Sequence, residues 1–230
     1  VDWLRSQGGK KVDLCGILEL LESCGIGRQE PNAEEAQFMA NLRLARQRLM
    51  LWIGFRDLNG LADLDEVTHS LSHFAELAVS DSIAFVRTDL KTRFGLPWSK
   101  STDSEMPLMV VGMGKLGGLE LNLSSDIDLI FLYEHEGETV GAEKSLSNHE
   151  WFTRMGKRVI KLLSEHDANG FVFRVDMRLR PNGDSGPLVC SLDMLEEYLL
   201  VQGREWERYA WIKGRLIAPL PSAASYAHCE

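Results

Sequence analysis

Two aspartates two residues apart, Asp126 and Asp128, follow the glycine-rich turn Gly112-Met-Gly-Lys-Leu-Gly-Gly118 and open the apolar run from Ile127 to Leu132. Residues i and i+2 of a β-strand share a face, so both carboxylates point one way while Ile127 and Leu129 point into a core. Two like charges held that close repel unless a cation sits between them. Oxygen-only ligands on a rigid strand suit Mg2+, which takes one or two carboxylates together with substrate phosphates. The segment reads as a metal site that handles phosphate.

The same glycines also fit Gly112-x-Gly114-x-x-Gly117, the dinucleotide-binding pattern, with Glu134 at about the 20-residue spacing expected of a ribose-binding acid. Chain length argues against that reading. A parallel crossover takes roughly a dozen residues or more, whereas Gly118 to Ser125 spans eight. The phosphate-loop pattern fails too, because Gly-Lys is nowhere followed by Ser or Thr.

A third acid lies in Phe171-Val-Phe-Arg-Val-Asp-Met-Arg-Leu-Arg180. Period-2 alternation puts Phe171, Phe173, Val175, Met177 and Leu179 on one face and Val172, Arg174, Asp176, Arg178 and Arg180 on the other. Taken alone, Asp176 belongs to a solvated charged face. Beside a two-carboxylate strand, the three acids can hold two metal ions, and Arg178 and Arg180 can grip phosphate oxygens through paired hydrogen bonds.

Five stretches carry a family resemblance: Gly114-Lys-Leu-Gly-Gly118, Ser124-Ser-Asp-Ile-Asp-Leu-Ile-Phe131, Arg174-Val-Asp-Met-Arg-Leu-Arg-Pro181, Ser185-Gly-Pro-Leu-Val189 and Gln202-Gly-Arg-Glu-Trp-Glu-Arg-Tyr-Ala210. Over roughly residues 35–217 the chain resembles the bifunctional glutamine synthetase adenylyltransferase/adenylyl-removing enzymes, of the DNA polymerase β-like nucleotidyltransferase superfamily. Met113, Leu121-Asn122, Ser125 and Met177 resemble the N-terminal, adenylyl-removing copy of the catalytic domain.

The resemblance implies an α+β fold, a small mixed sheet with flanking helices, in which the third strand returns antiparallel beside the first two. It implies a metal-binding catalytic triad of Asp126, Asp128 and Asp176, holding two Mg2+ ions with Mn2+ as the alternative. Gly117 and Gly118 are then expected to let the backbone approach phosphate, with Lys115, Ser124 and Ser125 in support. Lys115 reads equally well as an exposed loop lysine, and the serines as turn or cap residues. Arg178 and Arg180 are expected on substrate phosphate, with Arg174 past the pocket. The implied partners are glutamine synthetase, inorganic phosphate with ADP, or ATP in the adenylylating direction, and the PII signal protein through a full-length enzyme. Another nucleotidyltransferase with a different acceptor, or a non-catalytic regulatory module, are the other classes in play.

Composition bounds these options. The 230 residues carry a net charge of −9, so no global basic field attracts nucleic acid. The cysteines at 15, 24, 190 and 229 include no Cys-x-x-Cys pair, which argues against zinc and for reduced thiols in a cytoplasmic protein. His69 and His73 share a helical face but read as packing or surface residues. No apolar run reaches the roughly 18 residues of a membrane span. The Val1-Asp-Trp-Leu-Arg5 start is no signal peptide, and with the abrupt Ala227-His-Cys-Glu230 end it reads as part of a longer chain.

The elements that must position the acids follow from periodicity. The expected organisation is a helical segment over 1–96, the catalytic core over 97–190 and a C-terminal helix over 191–230. Glu34 to Gly60 and Leu61 to about Arg93 repeat apolar residues at helical spacing, the second opened by acids at 63, 65 and 66. Pro97 to Pro107 reads as a loop, Leu108 to Met113 and Ile127 to Tyr133 as strands, and Glu150 to His166 as a helix. Ser191 then caps a helical pattern that runs to about Ile217 with a break at Gly203. Charge pairs Arg204–Glu207 and Glu205–Arg208 account for the polar residues of that last stretch, and Trp206 and Trp211 read as core. Residues 1–33 give no readable pattern.

Overall fold

A computed structural model describes residues 2–27 and 34–219. Four helices come first: α1 (Asp2–Gln7), α2 (Leu14–Ser23), α3 (Glu35–Leu58) and α4 (Leu64–Phe94). Asp63 opens α4 by accepting a hydrogen bond from the backbone N–H of Glu66 at 2.7 Å, which satisfies one of the donors a helix start leaves over. Phe38, Leu42 and Leu49 of α3 and Leu71, Phe74 and Ala78 of α4 are buried, as the spacing predicts.

Arg56 is buried among these helices. The Arg56 guanidinium meets Glu66 at 2.6 Å, and Glu66 also accepts from the N–H of Val12. Further donors of Arg56 reach the carbonyls of Gly9 and Leu61. Within the stretch opaque in sequence, residues 2–27 hold two helices, and the loop between them is tied to α3 and α4 by one buried ion pair.

The segment expected as a loop after α4 is instead a small antiparallel sheet. β1 (Leu96–Ser99) pairs with β2 (Ser104–Glu105) on one side and β5 (Thr139–Val140) on the other. Ser and Asp at the tip gave the loop signal, while Trp98 and Ser99 pair across the turn with Glu105 and Ser104.

The main sheet runs β6-β4-β3-β8, with β7 beside β6 on the same edge of β4. Its members are β3 (Met109–Gly112), β4 (Ile127–Tyr133), β6 (Val175–Asp176), β7 (Val189–Ser191) and β8 (Arg215–Ala218), and the single turn α5 (Gly114–Gly117) follows β3. β3 and β4 are antiparallel, so the glycine turn does not open a parallel crossover and the dinucleotide reading falls. β6 is parallel to β4, which corrects the expected antiparallel return. The intervening α6 (Asn148–Ser164) carries the chain back along the sheet, so β6 starts from the same end as β4. α6 is capped by Ser147 and buries Phe152, Met155, Val159, Leu162 and Leu163 as expected.

The ten-residue alternating strand is largely absent. Only Val175 and Asp176 pair with β4. Val172, assigned to the polar face, is fully buried beside Phe173, and both backbone N–H groups donate to the carbonyl of Leu163 at the end of α6. Adjacent residues of a pleated strand cannot share a face, so the chain leaves the strand conformation there.

The last helical pattern also divides. Ser191 caps α7 (Leu192–Val201), accepting from Met194 at 3.3 Å. α8 (Glu205–Ala210) and a 3-10 turn (Trp211–Lys213) follow, and the chain then enters β8 on the free side of β3. Trp206 is exposed and Trp211 packs against the sheet. Glu207 accepts from the Arg204 N–H and the Tyr198 hydroxyl, a local cap rather than the expected charge pair. Cys24 and Cys190 are free and buried, and Cys229 lies outside the described residues. No helix among the described residues is long and apolar enough to cross a membrane.

The sheet separates two apolar clusters. Ile127, Leu129, Phe131 and Tyr133 enter the large core with α3, α4 and α6. Ile130 and Leu132 enter a smaller cluster with Val111, Met113 and Leu195, beneath α7 and Trp211. By alternation, Asp126 and Asp128 lie on this second face, at the end of β4 that the small cluster leaves open.

Candidate active site

Asp128 and Asp176 are direct partners across the parallel β4–β6 ladder, which puts their side chains on one face next to each other. Asp126 precedes Asp128 by two residues and joins them. Strand pairing thus brings together three acids that are 50 residues apart in sequence from first to last.

Their surroundings differ. Asp126 is ion-paired with Arg174, whose Nη2 also donates to the carbonyl of Ser124 at 2.7 Å. Asp176 accepts from the Arg178 backbone N–H and Nε, each at 2.8 Å, and this hydrogen bonding holds its carboxyl below the usual range. Asp128 has no hydrogen bond or ion pair among the described residues. Burial pushes its carboxyl up, and the charges of Asp176 and Asp126 add to the shift.

The glycine turn presses on this group. Gly114 has φ +54, and a Cβ there would stand 3.0 Å from Oδ2 of Asp128. At Gly117 a Cβ would fall 1.7 Å from the Lys213 carbonyl oxygen, which no side chain can occupy. Gly118 is exposed at the end of the turn. Lys115 extends across to Ser125, Nζ to Oγ 3.3 Å, and Ser125 in turn donates to Asn122 at 2.7 Å. The N–H of Ser124 also donates to Asn122.

Arg178 reaches into solvent from its Asp176 partner. Arg180 makes no hydrogen bond to the three acids: Nη1 donates to the carbonyl of Met177 at 2.7 Å and to Asp184 at 3.5 Å, and Nε is buried without a partner among the described residues. Two residues were missed from sequence. Arg174, read as lying past the pocket, is on Asp126, and Asn122 organises both serines. An asparagine two residues before a Ser-Ser pair was the available signal for the second; Arg174 left none, because its partner is 48 residues away.

Three carboxylates, one face and no competing nitrogen or sulfur ligand form a donor set suited to Mg2+ or Mn2+. Among the described residues no three acidic, histidine or cysteine side chains close around a cation as they stand. Arg174 and Arg178 occupy two of the carboxylates, and these guanidinium groups supply the positive charge that a divalent ion brings.

The family profile described as glutamate-ammonia ligase adenylyltransferase (GlnE) matches residues 27–228. The chain belongs to that family. Relatives named bifunctional glutamine synthetase adenylyltransferase/adenylyl-removing enzyme include those of Ralstonia nicotianae, 59% identical over 76% of this chain, and Burkholderia mallei, 56% identical over 85%. That of Aromatoleum aromaticum is 55% identical over 94% of the chain. These alignments cover 18%, 21% and 22% of the respective relatives, so the chain spans about a fifth of their length.

Proposed function

We propose that this chain is the adenylyl-removing domain of a bifunctional glutamine synthetase adenylyltransferase, and that it cleaves AMP from a modified tyrosine of glutamine synthetase by phosphorolysis. The observation that carries the reading is the pairing of Asp128 with Asp176 on one sheet face, with Asp126 beside them and the glycine turn packed against them.

In this reading an oxygen of inorganic phosphate attacks the phosphorus of the tyrosyl-AMP bond. The new P–O bond gives ADP, and the bond to the tyrosine oxygen breaks to release a phenolate that takes a proton from water. A phenol titrates near pH 10, so it leaves with less help than an aliphatic alcohol. Two Mg2+ ions, or Mn2+, supply neutralisation of the entering phosphate and the departing phenolate when bound. Asp126, Asp128 and Asp176 would hold those ions. Gly117 and Gly118 admit the phosphate to the backbone, Lys115 with Ser125 lines the approach, and Ser124 fixes the turn. Arg178, the most exposed of the nearby arginines, takes a phosphate oxygen when it releases Asp176. Arg180 supports the turn behind it.

The test is ADP formation by the purified chain from adenylylated glutamine synthetase, inorganic phosphate and Mg2+. Phosphate-dependent ADP that disappears in Asp126→Asn supports the reading. AMP transfer from ATP to unmodified glutamine synthetase, without phosphorolysis, assigns the chain to the opposite activity of the bifunctional relatives.

A further inference from the structure

The glycine turn must stay close to Asp128, and of its own side chains only Leu116 enters the core. α5 is one turn long and three of its four residues are Gly or Lys. Its clamp comes from elsewhere. Arg215, the first residue of β8, donates from Nε to the carbonyl of Gly117 at 3.0 Å and from Nη2 to the carbonyl of Leu116 at 3.1 Å. The same Nη2 donates to Glu76 of α4 at 2.5 Å, and the Glu76 carboxylate is nearly buried. A guanidinium has donors fixed in one plane, so a buried carboxylate on one side and two carbonyls on the other fix its position and the turn's.

Strand pairing locates the clamp relative to the acids. Gly112 is the register partner of Leu129 on β4 and of Arg215 on β8, so Arg215 stands two strands, or about 10 Å, from the residue after Asp128. The N–H of Met113 donates to the carbonyl of Asp128 at 2.9 Å. Glu76, Arg215, the turn and Asp128 therefore form one continuous set of contacts from the helical core to the carboxylates. We propose that Arg215, seated by Glu76, is a positioning residue that sets the glycine turn against Asp128 and so fixes the site's affinity for phosphate. The affinity part of this inference rests on the phosphorolytic reading; the clamp itself does not.

Two measurements on Arg215→Lys and Glu76→Gln keep the two apart. Hydrogen exchange of the 114–119 backbone reads the clamp directly: both variants should lose protection there and retain it in α3. Unchanged protection at 114–119 in both overturns the clamp, whatever the activity. The Michaelis constant for phosphate in ADP formation reads the consequence, and Arg215→Lys should raise it about tenfold while kcat changes less than threefold, as a displaced binding group does. A fall in kcat with an unchanged Michaelis constant overturns the affinity role. Wild-type chain that makes no ADP overturns the phosphorolytic reading and the affinity role with it, while the exchange result still decides the clamp.

Discussion

Arg56–Glu66 and Arg174–Asp126 join the same two chemical groups in opposite surroundings. The first pair is buried, with 7% and 5% of its side-chain surface exposed, and the guanidinium spends its other donors on backbone carbonyls. The second is open to water, at 56% and 43%. A buried charge pair is held by the cost of leaving either member alone in a medium of low dielectric. An exposed pair gains little, since water and salt compete for both partners. Arg56 is thus a permanent fastener of the helical end, whereas Arg174 is a replaceable partner of Asp126, the carboxylate that the proposed function gives to a divalent cation.

That contrast can be broken at several points. The largest effect belongs to Asp128→Asn: turnover to ADP should fall by about a thousandfold or more, as expected when a metal-bearing carboxylate is lost, while circular dichroism and the thermal midpoint stay close to wild type. Glu66→Ala should do the reverse. Leaving the Arg56 charge buried and unpaired costs about 3–5 kcal/mol, read as a lower urea midpoint.

Asp81 supplies the case in between, a partly buried carboxylate with no cation paired to it among the described residues. Burial pushes its carboxyl up to about 6. An unfolded carboxyl titrates near 3.9, so the folded chain holds the proton more tightly and stability falls as pH rises from about 4 to 6. Asp81→Asn should therefore stabilise the chain by about 1–3 kcal/mol at pH 7 and make little difference near pH 3. Denaturation at both pH values checks the sign. Arg174→Ala should have the smallest effect, less than about 1 kcal/mol on unfolding. A loss as large as that of Glu66→Ala would erase the distinction between fastener and replaceable partner.

Legibility in the sequence follows the same division. β4 was readable to its ends, because a run from Ile127 to Tyr133 that is apolar except for Asp128 is bounded by the turn residues before Asp126. Helices α3, α4 and α6 were readable because each buries one stripe at helical spacing, and Ser191 gave the start of α7. The two neighbouring carboxylates were visible for a local reason, their i, i+2 spacing. Partners distant in sequence were not: Arg174 meets Asp126 and Arg215 meets Glu76 only after the sheet has formed. β8 was absorbed into a helical pattern since Leu216-Ile-Ala is too short to show a period of its own, and its strand conformation comes from pairing with β3. The alternation of residues 171–180 was real in sequence but yielded to the end of α6, which buries Val172 and Phe173 together.

The central claim is that Asp126 and Asp128 serve divalent cations rather than the fold. Titration of the purified chain with Mn2+ in the presence of ADP, followed by electron paramagnetic resonance, tests it most directly. Mn2+ should bind the wild-type chain and Arg174→Ala, and binding should be lost in Asp126→Asn and in Asp128→Asn. Equal Mn2+ binding by wild type and both aspartate variants would contradict the account.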